Sequence, residues 1–300
     1  MSSATPRASV IIPAYESQGT IANTLRALRA QEFVEFETVV VDSSPGDATE
    51  ILVDAEFPEI TYERSPRRLI PHEARNRGVE LARGELLVFT DPDCVPHPDW
   101  LGNLVRVHDG GHPVVAGAIE DAGSRWFGRG VHLTKFSPWI GGGTPGPRAD
   151  LATANLLWSR SAWERFGPFP TDRWCGDTEL CWRARESGVE LRFEPAAVVD
   201  HEHEVDLAGF IRERRARGED FGGMRASHDR WSRLTAAARV ATSPLVPLVL
   251  LVRGLANAAR AGRLREGLAT APLQLVGYAA WALGEVRAYL RAARGSTDGR

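Results

Sequence analysis

The chain has 300 residues, 43% apolar and 25% charged, with a formal net charge of −3. This is the balance of an ordinary globular protein with room for one large core or one domain plus an appendage, and it gives no basis for a nucleic-acid partner. Three cysteines (Cys94, Cys175 and Cys181), odd in number and without CxxC spacing, favour neither a disulfide framework nor a zinc knuckle, and MSSATPRASVIIPAY lacks the pattern of a secretory signal, so a cytoplasmic protein is expected.

The first element is SVIIP (9–13), a short β-branched run ended by proline, which predicts a buried strand. SQGTIANTLRALRAQ follows with Ile21, Leu25 and Leu28 at helical spacing behind Ser17 and Thr20, both candidate caps. FETVVVDSS predicts a second strand, and Asp47 to Glu50 has capping-box spacing at the start of a second helix. ITYERSP predicts a weaker third strand, HEARNRGVELARG a helix closed by Gly84, and ELLVFTD a fourth strand. Strands alternating with helices of this length imply an α/β fold, with a largely parallel sheet covered on both faces.

Beyond residue 113 the alternation weakens. VVAGAIE and ATANLLWSR predict strands, and the Gly- and Pro-rich WFGRGVHLTKFSPWIGGGTPGPRAD between them predicts a loop, read as a lid on the acceptor side. DTELCWRARESG predicts a helix ended by Gly188, and LRFEPAAVVDHEHE a last strand running into His201 and His203. Ligands on such sheets bind beyond the carboxyl ends of strands, which places Pro13 to Ser17, Asp42 to Ser44 and Asp91 to Asp93 on one rim. Asp91 and Asp93 stand two apart at a strand end and can converge on one point. Two converging carboxylates repel each other unless a cation sits between them.

SVIIPAYES, VVVDSS, ARNRGVELARGELLVFTDPD, NLLWSRSAWERFGPF, GDTELCWRAR and PAAVVDHEH, in that order, resemble the family 2 glycosyltransferases over roughly residues 8 to 204. The resemblance implies a GT-A catalytic domain, a Rossmann-like α/β fold, over residues 1–204, and an inverting transfer of a sugar from a nucleotide-diphosphate donor (UDP, dTDP or GDP) to an acceptor hydroxyl with Mn2+ or Mg2+. It assigns Asp93 as the metal ligand, Asp91 to the ribose or the metal's surroundings, and His201 to the metal or diphosphate, with His203 on the same side by alternation. Pro13, Ala14, Tyr15 and Glu16 wall the base and ribose, Asp42 accepts from the base, and Arg75 with Asn76 reaches the base or diphosphate. Asp177 is the base, with Glu179 in reserve, and Trp174 can stack on a sugar ring. Gly176 stands where relatives often carry an acidic residue, which leaves Asp177 without that neighbour. A nucleotide-sugar pyrophosphorylase fits less well for want of a Gly-rich phosphate loop near the amino end, and a dinucleotide dehydrogenase for want of GxGxxG. The alternative from another class is a catalytically silent GT-A protein that binds glycans or acts as a membrane scaffold, which only Gly176 favours.

Residues 205–300 carry 16 Lys or Arg against 8 Asp or Glu, whereas residues 1–204 carry 20 against 31. The tail predicts a helical extension, Arg-rich at first, with uncharged stretches at Val240–Val252 and Gly267–Gly284. The first is too short to span a bilayer and the second too rich in Ala, Gly and polar atoms. Flanking arginines suit helices lying on an anionic membrane surface, the alternative being an ordinary helical subdomain. The expectation is a peripheral protein on the inner face of the cell membrane with a saccharide or lipid-linked acceptor.

Overall fold

The computed structural model describes residues 5–294 apart from 124 and 204, and these form two compact units. The first comprises residues up to Ala122, Gly143–Asp172 and Gly176–Glu202; the second comprises Gly123–Gly142, Arg173–Cys175 and the chain from His203.

In chain order the elements are β1 (Ala8–Ala14), α1 (Ile21–Arg29), β2 (Phe36–Asp42), α2 (Ala48–Glu56), β3 (Thr61–Arg64), α3 (Pro71–Leu81), β4 (Leu86–Thr90), β5 (Cys94–Pro96), α4 (Trp100–Asp109) and β6 (Val114–Asp121). They continue with α5 (Trp126–Phe136), β7 (Gly146–Pro147), β8 (Asn155–Ser159), α6 (Arg160–Phe166), α7 (Gly176–Glu186), β9 (Leu191–His201), α8 (Leu207–His228), α9 (Arg233–Thr242), α10 (Val246–Arg260) and α11 (Leu264–Arg294).

All strands belong to the first unit and form one sheet in the order β3-β2-β1-β4-β8-β6-β9-β5, with β7 also on β9. β1, β4 and β8 are buried at every position, so both faces of the sheet are covered and their continuous apolar runs are explained. The expected parallel sheet holds from β3 through β4, where consecutive strands are joined through α1, α2 and α3. Beyond β4 it is mixed: β8 runs antiparallel to both β4 and β6, β9 is parallel to β6, and β5 and β7 are antiparallel to β9. No helix of this unit crosses from β6 to β8, and antiparallel pairing needs none. At a register shift between Gly117 and Ala118, fully buried Asn155 donates to the carbonyls of Ala118 (2.8 Å) and Ala197 (2.9 Å) and accepts from Trp100 Nε1 (2.8 Å). Every polar atom of that amide is used, which is the condition for burying it.

Several local expectations change. α1 and α2 have no side-chain caps; the Ser17 carbonyl instead accepts from the amides of Thr20 and Ile21. Gly84 does not close α3, which ends at Leu81; a Cβ there would lie 2.7 Å from the Ala8 main chain, so this glycine serves close approach to β1. Gly188, by contrast, follows α7 with φ +84°, as expected of a helix end.

The second unit is helical, with α8, α9 and α10 packed around the long α11. The segment expected as a loop after residue 125 holds α5 and a 3-10 turn at Ser137–Trp139. Its glycine content misled because Gly130 serves packing: a Cβ there would sit 2.7 Å from Leu273 of α11. The stretch Gly267–Gly284 lies inside α11 and supplies much of this unit's interior.

Candidate functional site

The polar rim at the strand ends is set by register. Ala14 pairs with Asp42, and Asp42 with Arg64. On the other half of the sheet Cys94 pairs with His201, and the Glu202 amide donates to the Asp93 carbonyl (2.9 Å). β4, β5 and β9 therefore bring Asp91, Asp93 and His201 together; one ligand atom from each of these and from Cys94 lies within 4.8 Å of the others.

These groups are held differently. Arg75, buried in the second turn of α3, donates to Asp91 and lies 3.4 Å from His72 Nδ1. It is thus a buried, paired cation, and Asp91 is the carboxylate that compensates it. Asp93 is more exposed and faces His201 Nε2 at 3.8 Å, beyond hydrogen-bond range. His201 Nδ1 lies 2.7 Å from the Glu202 carbonyl, which can only accept, so Nδ1 carries a proton and Nε2 is the ring nitrogen that faces Asp93. A carboxylate and an imidazole nitrogen facing each other beyond hydrogen-bond distance are a donor set that can hold a cation. Cys94 is a poor fourth donor, because burial and then the charges of Asp93 and Asp91 push its thiol well above the ordinary range.

On the parallel half, Asp42 is fully buried. Its carboxylate accepts from the Ser44 amide (2.8 Å), the Ser44 hydroxyl (2.5 Å) and the Tyr62 hydroxyl (2.8 Å), and burial together with Asp42 pushes the Tyr62 phenol up. Asp42 thus bonds its own loop and a neighbouring strand. Ser44 Oγ also accepts from the amide of Glu16, a residue at φ +51°. Pro13 and Ala14 are buried in β1, and the half-buried Tyr15 ring lies under the Arg68 guanidinium at 4.2 Å. Asn76 is engaged at both ends of its amide by the Phe169 main chain (2.9 and 3.0 Å), which makes it a brace for that loop.

Asp177 lies in the first turn of α7, accepting from the Thr178 amide (2.8 Å) with Thr153 Oγ1 at 3.4 Å. One face of α7 is fastened to the 149–153 loop, with Arg185 donating to the Ala149 carbonyl (2.7 Å) and Cys181 to that of Leu151 (3.8 Å). The same loop carries Asp150, whose carboxyl is pushed up to about 6 by burial and then by the Asp177 charge. Asp177 therefore has an acidic neighbour after all, from a loop with no motif to announce it. Gly176 also has a local reason: a Cβ would sit 2.9 Å from the ring of buried His72 and 2.9 Å from the Pro170 carbonyl. Glu179 is in the same first turn.

Trp174 and His203 belong to the second unit. The Trp174 amide donates to Asp220 (2.9 Å) and its exposed ring has the Arg217 guanidinium 5.9 Å from its centroid. His203 Nε2 is 3.0 Å from His132 Nδ1, and its ring stacks on Phe136.

Residues 9–166, more than half of the chain, match the sequence model of glycosyl transferase family 2. The chain is 28% identical over 200 residues to the glycosyltransferase AglE of Haloferax volcanii, covering 64% of this chain and 66% of AglE. It is 25% identical over 237 residues to the pre-mycofactocin glycosyltransferase of Mycobacterium tuberculosis, covering 73% of this chain but 46% of that relative. The fold is shared with the mannosyltransferase PcManGT of Pyrobaculum calidifontis, solved with GDP-Man and Mn2+ (TM-score 0.63, 21% identity, 98% of this chain and 89% of that one). It is also shared with residues 1–349 of Staphylococcus aureus TarS, solved with UDP-GlcNAc (TM-score 0.57, 15% identity, 98% and 93%).

Proposed function

The chain belongs to glycosyl transferase family 2, and on that premise we propose that it is an inverting, metal-dependent transferase moving a sugar from a nucleotide-diphosphate donor to an acceptor hydroxyl. The observation that carries this is the facing pair of Asp93 and His201 Nε2 at the end of the sheet. Asp93 and His201 would hold Mg2+ or Mn2+, with Asp91 beside them, in a donor set of oxygen and imidazole that suits either ion. Such an ion, when bound, neutralises the charge of a leaving diphosphate.

The protein's own residues do the rest. Arg75 holds Asp91 in place, and Asp93 is the more exposed of the two carboxylates. Tyr15 under Arg68 offers a flat, cationic edge to a base, and the Asp42–Ser44–Tyr62 network fixes the loop that carries Glu16. Asp177 takes the proton from the acceptor hydroxyl as the new bond forms, since a carboxylate cannot deprotonate a free alcohol beforehand. Asp150 beside it adds a second carboxyl at α7, its pKa raised by burial and then by the Asp177 charge.

An active enzyme is favoured over a silent scaffold because the one feature on the scaffold's side, Gly176, is accounted for by His72 and by Asp150. For the acceptor we infer a saccharide or lipid-linked saccharide, with the protein peripheral on the inner face of the cell membrane, supported by the basic balance of residues 205–300. A thermal-shift panel of UDP, GDP and dTDP, each with Mn2+ and with chelator, tests the proposal. Stabilisation by at least one nucleotide, dependent on metal, is expected; no response to any of them contradicts it.

A further inference from the structure

In the second unit, α10 is turned inside out relative to a helix made for water. Leu245, Leu248, Val249 and Val252 recur at the spacing of one helical face and are exposed, Leu248 at 54% and Val252 at 66%. The inward positions are small: Gly254 and Ala258 are buried, and a Cβ on Gly254 would lie 2.7 Å from the Tyr278 hydroxyl and 3.3 Å from Gln274. This unit has an apolar cluster of its own at Val131, Phe210 and Leu273, but it also encloses polar side chains. Gln274 is 1% exposed and donates to Thr270 and to the Gly267 carbonyl, while Thr270 and Glu285 are equally enclosed. Branched aliphatics left exposed along one face of α10, while the unit buries other apolar side chains elsewhere, mark that face as a surface that meets hydrocarbon. Among the described residues, Arg233–Arg260 is one helical run long and apolar enough to cross a membrane by length and composition, and only 11% of its most apolar window is buried.

We propose that this face lies in the interfacial layer of an anionic lipid bilayer, with the α10 stripe in the acyl region and the flanking arginines among the headgroups. Charge selects this occupant. Residues 230–265 hold seven arginines and no Asp or Glu, and among the described residues no carboxylate pairs with Arg253, Arg260 or Arg265. A second copy docked on the same patch by a two-fold axis would set arginine against arginine, whereas an anionic surface complements both the apolar stripe and its rim. Charge placement selects the orientation. The Arg233–Arg260 run is long enough to cross, but its uncharged part between Arg239 and Arg253 has 13 residues, about 20 Å as helix against roughly 30 Å of hydrocarbon, so a crossing would carry an arginine into the acyl region and the segment lies along the bilayer instead. The inference deepens the membrane assignment above and stands apart from the transfer chemistry.

Flotation of the full chain with phosphatidylcholine vesicles, with and without phosphatidylglycerol, tests it. The protein is expected to float with the anionic vesicles only, and to be released by high salt. Leu248→Glu with Val252→Glu should abolish flotation, and Arg253→Glu with Arg260→Glu should weaken it by roughly fivefold per reversed charge. Leu248→Ala with Val252→Ala, which keeps the small inward face, guards against misfolding and should weaken flotation with an unchanged circular dichroism spectrum. Nucleotide thermal shifts should be the same in all variants, so that loss of vesicle binding is separable from failure of the transferase assignment. The inference is overturned if the variants float as well as the parent, if the parent ignores anionic vesicles, or if sedimentation shows a dimer that the glutamate variants dissolve without any vesicle binding.

Discussion

The two units of this chain expose different things. The first hides Val, Ile, Leu and Phe on both faces of a sheet and presents carboxylates, an imidazole and an arginine where strands end. The second also buries apolar side chains, among them Val131, Phe210 and Leu273, but leaves a stripe of leucines and valines outside. A sheet covered on both faces can support charge at its rim because rigid neighbours fix each group, as Arg75 fixes Asp91. A helical unit that leaves an apolar stripe such as that of α10 outward gains nothing from it in water, and that face should respond to what covers it.

The contrast can be sharpened at the rim first, where effects are largest. Asp177→Asn should lower transfer by about 10^2 to 10^4-fold while leaving donor affinity within roughly twofold, because it removes the proton acceptor and nothing that holds the nucleotide. Paired transfer assays and isothermal titration check this; unchanged turnover would remove Asp177 from the mechanism. Gly176→Ala should destabilise the protein by about 1–3 kcal/mol, since its Cβ meets His72 and the Pro170 carbonyl at 2.9 Å. Adding His72→Ala should recover part of the loss in denaturant unfolding.

Asp150 offers a test by pH. Its carboxyl titrates near 6 in the folded protein against 3.8 ordinarily, so between those values the folded state binds more protons than the unfolded one. Stability falls as pH rises through that window, and the cost is complete above it. Asp150→Asn should therefore stabilise at pH 7 by an amount on the order of 2 kcal/mol and be neutral below about pH 4; a flat difference across the range would contradict this. The smallest effect belongs to the other unit. Val252→Ser should change stability in buffer by less than about 0.5 kcal/mol, as expected for a side chain already in water. A loss of several kcal/mol would mean that the α10 stripe is packed.

Much of the first unit could be read in the sequence because its signals are local. β-branched runs such as SVIIP and VVV and the turn residues after them mark strands and rim without tertiary help. The convergence of Asp91, Asp93 and His201 was legible from the motif order, and their proximity follows from the pairing of β5 with β9. Asp150 was hidden because a lone acid in a Gly- and Pro-rich loop has no spacing to betray it. Arg75, expected to reach the base or diphosphate, is instead buried in α3 and paired with Asp91, a partner no local pattern announces. In the second unit glycine misled: in Gly130 and its surroundings a packing device has the composition of a loop. The two uncharged stretches of the tail differ in length and composition, but only tertiary packing shows that Gly267–Gly284 supplies interior positions such as Leu273, Gln274 and Tyr278 while the α10 stripe is exposed.

Isothermal titration of UDP and GDP into the parent and Asp93→Ala, each with Mn2+ and with chelator, bears most directly on the central claim. The account predicts that at least one nucleotide binds the parent tightly only with metal, and that Asp93→Ala binds it equally weakly with or without the ion. Metal-dependent binding of undiminished strength in Asp93→Ala would contradict it.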